Sequence, residues 1–334
     1  MDINLIAMLP EWMKTDWMGH PVWMWMNFLI TIVSILAYDL GLFSKKKDGP
    51  PSVKRSLINT LIYISLAVLF GWDTWTDLGA KAGMEFFTGY AMELSLSIDN
   101  IFVISLIFSS LGIPAQYRHR VLFWGILGVL ILRGIMIGAG AALISQFSWI
   151  LLIFGIFLLF TGFKMLFVQN EHSEIADNPA LKWMQKHLPI TKELHKERFF
   201  VRLPNPQNPS RNMTFITPLF VALVLVEIAD LVFAVDSVPA VFAVTQDPYI
   251  VYTSNIFAII GLRSLFFLLE DMVHRFEYLS KALAFILIFI GGKITAAELL
   301  HYHMPTEISL SVVLTLIFSG IAISLLKTRK KDKA

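Results

Sequence analysis

The sequence predicts an all-α polytopic membrane protein with about nine transmembrane helices, among them two inverted three-helix repeats. The 334-residue chain is 56% hydrophobic and only 16% charged, whereas soluble domains average about 25% charged residues. Its charges cluster and leave apolar stretches of about 20 residues, the length that spans the hydrocarbon core of a bilayer. Two of these stretches carry matching acidic residues, which predicts the repeats. Cysteine is absent, so disulfides and thiolate metal ligands are excluded.

Nine segments of the chain fit helices that cross a bilayer. They cover residues 22–43, 57–72, 84–110, 121–144, 148–168, 214–244, 250–271, 279–297 and 307–326. These helices divide the chain into an interfacial N-terminus (1–21), two first helices (22–83), a first repeat (84–168), a polar loop (169–213), a second repeat (214–297) and a last helix with a basic tail (298–334).

The charges of the connecting loops predict the orientation. With nine spans, the basic loops and the basic tail fall on one side, and only Lys14 and Lys81 fall on the other. Because cytoplasmic loops carry an excess of lysine and arginine, we expect the N-terminus outside and the C-terminus in the cytoplasm. An eight- or ten-span arrangement would divide the basic loops between the two sides.

Two segments outside the spans also show patterns. The four residues Trp12, Trp17, Trp23 and Trp25 are typical of an outer interfacial belt, because indole rings prefer the headgroup level. Within the loop 169–213, the run ALKWMQKHL at 180–188 predicts a surface amphipathic helix. An ordinary linker is favoured over a cytoplasmic gate for this loop.

Five carboxylates lie inside the predicted spans. Glu93 and Asp99 belong to the run MELSLSIDNIFVISLIF, and Glu227, Asp230 and Asp236 belong to the run FVALVLVEIADLVFAVDSVPAVFAV. A carboxylate at membrane depth costs roughly 2.5–3.5 kcal/mol on the insertion scale, so each one needs a partner or a function.

Polar residues recur in the same order in the two predicted repeats. The matched pairs are Asp99 with Asp236, Glu93 with Asp230, Asn100 with Ser237, Arg133 with Arg263, and Lys164 with Lys293. Because the first unit begins outside and the second begins inside, the units have inverted topology, an architecture of secondary transporters whose sites lie near the midplane at the repeat interface.

Inversion also predicts the depth of each acid. Glu93 and Asp236 should share an outer layer, while Asp99, Glu227 and Asp230 share an inner one. Directly after Asp236, the run Ser237-Val-Pro239 is a candidate for a broken turn that offers carbonyl oxygens.

The ligands available in these segments are hard oxygens, which suit Mg²⁺, Ca²⁺ and Mn²⁺. The predicted metal ligands are Glu93, Asp99, Asn100, Glu227, Asp230, Asp236 and Ser237. The residues predicted to balance charge or to gate are Arg133, Arg263, Lys164 and Lys293. Two alternatives stay open: the acids pair structurally with the two arginines, or they relay protons. The arginines are also candidates for tethers that fill an emptied site.

Several motifs together resemble the TerC family of integral membrane proteins, and within it the Alx-like branch. They are ELSLSIDNIFV (93–103), FLLFTGFKM (157–165), EIADLVFAVDSVPAVFAV (227–244) and TSNIFAIIGLR (253–263). The resemblance extends over about residues 20–326. It implies a connection with tellurium resistance and alkaline or redox stress, and it implies Mn²⁺ as the exported substrate. The family's motif residues fall on the seven predicted ligands.

The leading hypothesis is therefore a non-enzymatic transporter that exports a hard divalent cation, with protons as a candidate coupling ion. We expect no tightly bound cofactor, no nucleic-acid partner, the bilayer as surroundings, and a chain compatible with homo-oligomers. The alternative is a non-transporting scaffold in a stress-response complex, whose acids are held by Arg133 and Arg263. A membrane oxidoreductase is the weakest hypothesis, because no cysteine, nucleotide motif or membrane-embedded histidine pair supplies the chemistry.

Overall fold

The chain folds into a bundle of long helices, seen in a computed structural model. The structure describes residues 9–39, 53–147, 149–167, 179–191, 193–205, 208–269, 277–300 and 304–331, and the side chain of Asp99 is among the few within these ranges that it leaves out. The described residues contain seven helices that are long and apolar enough to cross a membrane. The protein is therefore an integral, multi-pass, mainly α-helical membrane protein, as the composition predicts.

The elements follow one another along the chain with short connections. The first half contains α1 (Glu11–Lys14), β1 (Asp16–Trp17), β2 (His20–Pro21), α2 (Val22–Asp39), α3 (Val53–Leu78), α4 (Ala80–Ser110), α5 (Ala115–Gln146) and α6 (Ile150–Phe167). The middle contains α7 (Pro179–His187), β3 (Phe200–Asn205) and β4 (Asn208–Ile216). The last part contains α8 (Pro218–Phe242), α9 (Pro248–Leu269), α10 (Glu277–Leu300) and α11 (Thr306–Lys331).

Each of the nine predicted spans coincides with one long helix, although the bounds differ. The span predicted as short, 57–72, is the 26-residue helix α3. The seven helices of sufficient length and hydropathy leave out α2, whose apolar part Val22–Tyr38 is shorter, and the acidic helix α4. Nine as the number of spans therefore stays a prediction.

Proline and aspartate fix where two of the central helices begin. Pro218 stands in the first turn of α8, where the missing N–H costs no hydrogen bond. At the start of α9, Asp247 Oδ1 accepts a hydrogen bond from the N–H of Tyr249 at 2.9 Å, which is a helix N-cap. The predicted break near Pro239 is wrong: α8 continues through Pro239 to Phe242, so the proline is accommodated inside the last turns of the helix.

Four helices, α4, α5, α8 and α9, form the centre of the bundle. Helix α9 packs against α3, α4 and α5, and α8 packs against α4, α5 and α6. Most of the side chains of α9 are buried, so this helix has protein rather than lipid on nearly all sides. Polar side chains placed on the facing sides of these four helices are consequently removed from both water and lipid.

The N-terminal segment packs against the end of α9. His20 Nε2 lies 2.7 Å from Asp247 Oδ2, and the rings of Trp25 and Tyr249 lie 5.0 Å apart. Trp12 and Trp17 are exposed, but Trp23 and Trp25 are buried. The four tryptophans of the predicted belt thus divide into two exposed and two buried side chains, and their depth in a bilayer stays a prediction.

The loop between α6 and α8 is more ordered than a linker. The predicted amphipathic helix is present as α7, whose Leu181 and Met184 are buried against the core. Strands β3 and β4 pair antiparallel, and an ion pair of 3.0 Å joins Arg120 of α5 to Glu197. Residues 200–216 show no alternation of apolar and polar side chains strong enough to predict this hairpin.

Glycines allow α6 and α10 to approach closely. A Cβ at Gly291 would lie 2.7 Å from the carbonyl oxygen of Gly155 and 2.8 Å from the backbone nitrogen of Leu159, whereas a Cβ at Gly292 would have no neighbour within 4 Å. Backbone atoms cannot move aside as a flexible side chain can, so the two helices must separate if position 291 gains a methyl group.

We therefore expect Gly291→Ala to lower the free energy of unfolding by about 1–3 kcal/mol through overpacking. The matched control Gly292→Ala should be neutral or stabilising, because alanine is the better helix former. Thermal unfolding of both variants in detergent micelles measures the difference. Equal midpoints for the two variants would contradict the close approach of α6 and α10.

Candidate cation-binding site

A single arginine lies at the centre of the buried acidic residues. Arg133 is fully buried on α5 and donates five hydrogen bonds to described residues. Its Nη2 and Nε donate to the two carboxylate oxygens of Asp230 at 3.0 and 3.2 Å. Its Nη1 donates to Glu93 Oε1 at 2.5 Å, to Asn255 Oδ1 at 2.8 Å and to Ser237 Oγ at 3.2 Å. We call these five residues the Arg133 network, and Glu93 with Asp230 the acid pair.

Each of the four central helices supplies a part of this network. Glu93 comes from α4, Arg133 from α5, Asp230 and Ser237 from α8, and Asn255 from α9. Asp230 and Ser237 are seven residues apart, so they lie on the same face of α8 two turns from each other. The two-oxygen contact with Asp230 matches the planar fork of a guanidinium, which a lysine ammonium cannot reproduce.

Asn255 belongs to the Arg133 network but is not among the seven predicted ligands. Its side chain is fully buried; its Oδ1 accepts from Arg133, and its Nδ2 donates to Glu93 Oε2 at 3.0 Å. The signal was present in the run Thr253-Ser254-Asn255, because a polar triplet inside an apolar span needs hydrogen-bond partners. The amide thus fixes the relative position of an acid and the arginine.

A small cavity adjoins the network on the side of Asp230. It has a volume of about 30 Å³, and its polar lining residues are Asn100, Asp230 and Arg263, with Gly125 and apolar side chains completing the wall. A cavity needs roughly 10–15 Å³ to hold one water molecule, so this space admits one water or one small cation. Asn100 Oδ1 is buried and has no hydrogen-bond donor among the described residues.

Glu227 lies beside the same wall of α5. Its carboxylate packs so closely over Gly128 that a Cβ at that position would overlap it, and a Cβ at Gly125 would lie 3.9 Å from its Oε1. Glu227 Oε2 is buried and, within the described ranges, has no donor. Asn100 Oδ1 and Glu227 Oε2 are thus two buried acceptor oxygens without a donor among the described residues.

The two predicted repeats differ at this point. When Arg133 is aligned with Arg263, Asn255 of the second repeat corresponds to Gly125 of the first. The amide of Asn255 fills the space beside Arg133, whereas Gly125 has no side chain and the cavity lies there. The guanidinium of Arg263 lines this cavity and lies over the ring of Phe123 at 5.8 Å. The asymmetry leaves one side of the acid pair filled and the other side open.

The remaining predicted site residues lie elsewhere. Asp236 is half-buried and interacts electrostatically with Lys164 rather than with the network. Lys293 is close to Glu85, which is also 3.8 Å from Lys81. The side chain of Asp99 lies outside the described part of the structure.

The predicted arrangement in two layers is wrong for the acid pair. Glu93 and Asp230 were assigned to different depths, yet both contact the guanidinium of Arg133. The prediction uses only residue positions along each helix. The long side chain of Arg133 joins carboxylates from two helices and therefore decides which acids meet. In the described ranges, no group of three histidine, aspartate or glutamate side chains is arranged to hold a metal ion.

The electrostatics of the site favour a cation. If both acids and Arg133 are ionised, the network carries one net negative charge in surroundings from which water is excluded. Burying a carboxylate pair without a compensating cation is costly, so any ion that replaces the guanidinium must itself be positive. The oxygen donors of the network and of the cavity wall suit a hard divalent cation.

The comparisons with known proteins agree with a membrane role. The family model described as "Integral membrane protein TerC family" matches residues 78–332. An "Uncharacterized membrane protein" of Rickettsia bellii (strain RML369-C) is 44% identical over 312 residues, which cover 92% of this chain and 99% of the relative. Proteins described as "Putative membrane-bound redox modulator Alx" match from Photorhabdus laumondii (43% over 307 residues, 90% and 93% coverage) and from Escherichia coli strain K12 (41% over 323 residues, 94% and 98% coverage). No solved structure matches the chain.

The Arg133 network makes a prediction about stability. Arg133→Gln should cost about 3–5 kcal/mol of unfolding free energy, because it leaves two buried carboxylates without their cation. Glu93→Gln in addition to Arg133→Gln should cost less than the sum of the single changes, with a coupling of about 0.5–3 kcal/mol. Denaturant unfolding in micelles of the two single variants and the double variant gives this coupling.

The control is a second double-mutant cycle, in which Glu85 is changed in place of Glu93. Glu85 is also buried on α4 but lies beside Lys81. Glu85→Gln and Arg133→Gln should add within about 0.5 kcal/mol, because the two side chains share no partner. Additivity in both cycles would show that the contact between Glu93 and Arg133 contributes nothing to the fold.

Proposed function

Because the chain belongs to the TerC family of integral membrane proteins, we propose that it exports a hard divalent cation, with Mn²⁺ as the leading substrate. The metal is cargo and not a resident cofactor. The proposed path begins at the cytoplasmic side, passes the cavity beside Asp230, and continues through the acid pair. The proposal includes the bacterial inner membrane, an outside N-terminus and a cytoplasmic C-terminus, which follow from the loop charges.

One observation carries the proposal: two buried carboxylates from different helices already hold a cationic group, and a cavity of about 30 Å³ whose wall includes Asp230 adjoins them. Asp230 belongs both to the acid pair and to the lining of this cavity, so the space adjoins the network at one of its two acids.

The choice of Mn²⁺ depends on ligand chemistry and on the family. Carboxylate, amide and hydroxyl oxygens suit Mn²⁺, Mg²⁺ and Ca²⁺ alike. The motif resemblance to Alx-like members favours Mn²⁺ among these. Protons are the proposed coupling ion, since carboxylates that release a metal can take up protons instead.

The proposed architecture consists of nine spans with two inverted repeats. Support comes from Glu93 and Asp230, which are aligned positions of the two units and meet at one guanidinium. Equivalent residues of inverted repeats meet when they lie close to the axis that relates the repeats, which is where transporters of this kind bind their substrates.

A non-transporting scaffold is the second candidate function, and one observation favours it. Arg133 satisfies both oxygens of Asp230 and one of Glu93, and Asn255 satisfies the other. In that case the network fixes four helices and binds no substrate. Relatives described as redox modulators would fit a stress-response partner of this kind.

Transport assays distinguish the two functions. We expect Glu93→Gln and Asp230→Asn to reduce Mn²⁺ uptake into inverted membrane vesicles at least about tenfold, because each removes a charged oxygen ligand worth more than 1.4 kcal/mol. The matched control is Glu85→Gln, which removes a buried carboxylate from the same helix outside the network. Mg²⁺, Ca²⁺ and Fe²⁺ are compared in parallel, with and without a pH gradient.

Wild-type vesicles that take up none of these cations would rule out transport and leave the scaffold. Equal loss of uptake in Glu85→Gln and in the two network variants would show that the effect comes from folding and not from a ligand.

A further inference from the structure

The guanidinium of Arg133 and a transported cation need the same oxygens. Arg133 donates to both oxygens of Asp230 and to one of Glu93, and Asn255 holds the remaining oxygen of Glu93. A divalent cation bound between the acids would meet the positive guanidinium within a few ångströms, in surroundings of low dielectric where like charges repel strongly. The two cations therefore exclude each other from the acid pair.

We propose that Arg133 is a tethered counter-cation, which leaves the acid pair when the divalent cation binds and returns once that cation has left. The inference rests on the proposed transport function and concerns how the emptied site is neutralised. In this scheme, the contacts between Arg133 and the acid pair belong to the part of the cycle in which Arg133 neutralises the acids. The return of Arg133 lets the empty transporter change its orientation without carrying two bare carboxylates through the membrane interior.

Two neutral side chains also contact Arg133 beside the acid pair. Arginine stays charged at any physiological pH, so this neutralisation works independently of protonation. Asn255 and Ser237 give Nη1 neutral partners at 2.8 and 3.2 Å, which orient the guanidinium toward the acids without adding charge. Neutral acceptors hold a cation less strongly than carboxylates do, so they guide Arg133 and do not lock it.

The cavity provides the place where the exchange of cations begins. Asp230 lies in its wall, as do Asn100 and the glycine of the aligned Asn255 position, Gly125. An ion that enters this space lies beside Asp230, the residue that accepts two of the hydrogen bonds from Arg133. The incoming cation therefore weakens the hold on Arg133 before it takes the acid pair.

Comparison of net efflux with exchange tests the tether. Purified protein is reconstituted in liposomes loaded with radiolabelled Mn²⁺. Net efflux is measured into Mn²⁺-free medium, where the empty transporter must return. Exchange is measured with equal Mn²⁺ on both sides, where it always returns loaded. We expect Arg133→Gln to slow net efflux about tenfold or more while exchange stays within about threefold of wild type. Arg202→Gln, at an exposed position of β3, is the control and should change neither rate.

Arg133→Lys keeps the charge but loses the fork, so it should slow net efflux less than Arg133→Gln does, and it should slow net efflux more than exchange. Retained net efflux in Arg133→Gln, or a parallel loss of both rates in a variant that remains monodisperse, would overturn the tether. If Arg133→Gln does not fold, Arg133→Lys decides: a selective loss of net efflux supports the tether, and equal or absent effects on both rates overturn it.

Failure of the underlying function looks different in the same assay. Wild-type protein that shows neither net efflux nor exchange contradicts Mn²⁺ transport itself. Wild-type protein that shows both, together with Arg133 variants that do not separate them, contradicts only the tether.

Discussion

The structure depends on one constraint: two carboxylates and a guanidinium are buried together where neither water nor lipid can satisfy them. Glu93 and Asp230 would each be costly at this depth alone, and so would Arg133. Together they form charge-assisted hydrogen bonds that require a geometry within tenths of an ångström. Because the three side chains come from α4, α5 and α8, the network fixes how these helices meet, and Asn255 adds α9.

The same constraint separates this centre from the rest of the bundle. Elsewhere the helices are held by apolar contacts and by close backbone approach, as at Gly155 and Gly291. Such contacts tolerate small displacements, whereas a buried ion pair tolerates loss of either partner poorly. The cavity beside Asp230 lies between the Arg133 network and the surrounding apolar side chains, and both contribute to its wall.

The sequence predicted the parts of this site better than their arrangement. An acid or an arginine inside an apolar span is conspicuous, so Glu93, Asp230 and Arg133 could be identified from the chain alone. Asn255 was missed because a neutral amide costs less at depth and stands out less. The assignment of acids to layers failed because it used helix positions alone, while the reach of the arginine side chain decides which carboxylates meet. Asp236 and Ser237 are both predicted ligands, yet consecutive residues of a helix point about 100° apart, and of the two only Ser237 contacts Arg133.

The central claim is that the acid pair binds the transported cation in place of Arg133. A crystal structure of the protein saturated with Mn²⁺, with anomalous diffraction recorded to locate the metal, tests it most directly. If the acid pair binds the cation in place of Arg133, an anomalous peak should lie between the carboxylates of Glu93 and Asp230, and the guanidinium of Arg133 should be displaced from both. A peak at another place while Arg133 keeps its hydrogen bonds to both acids, or no peak within the bundle at saturating Mn²⁺, would contradict it.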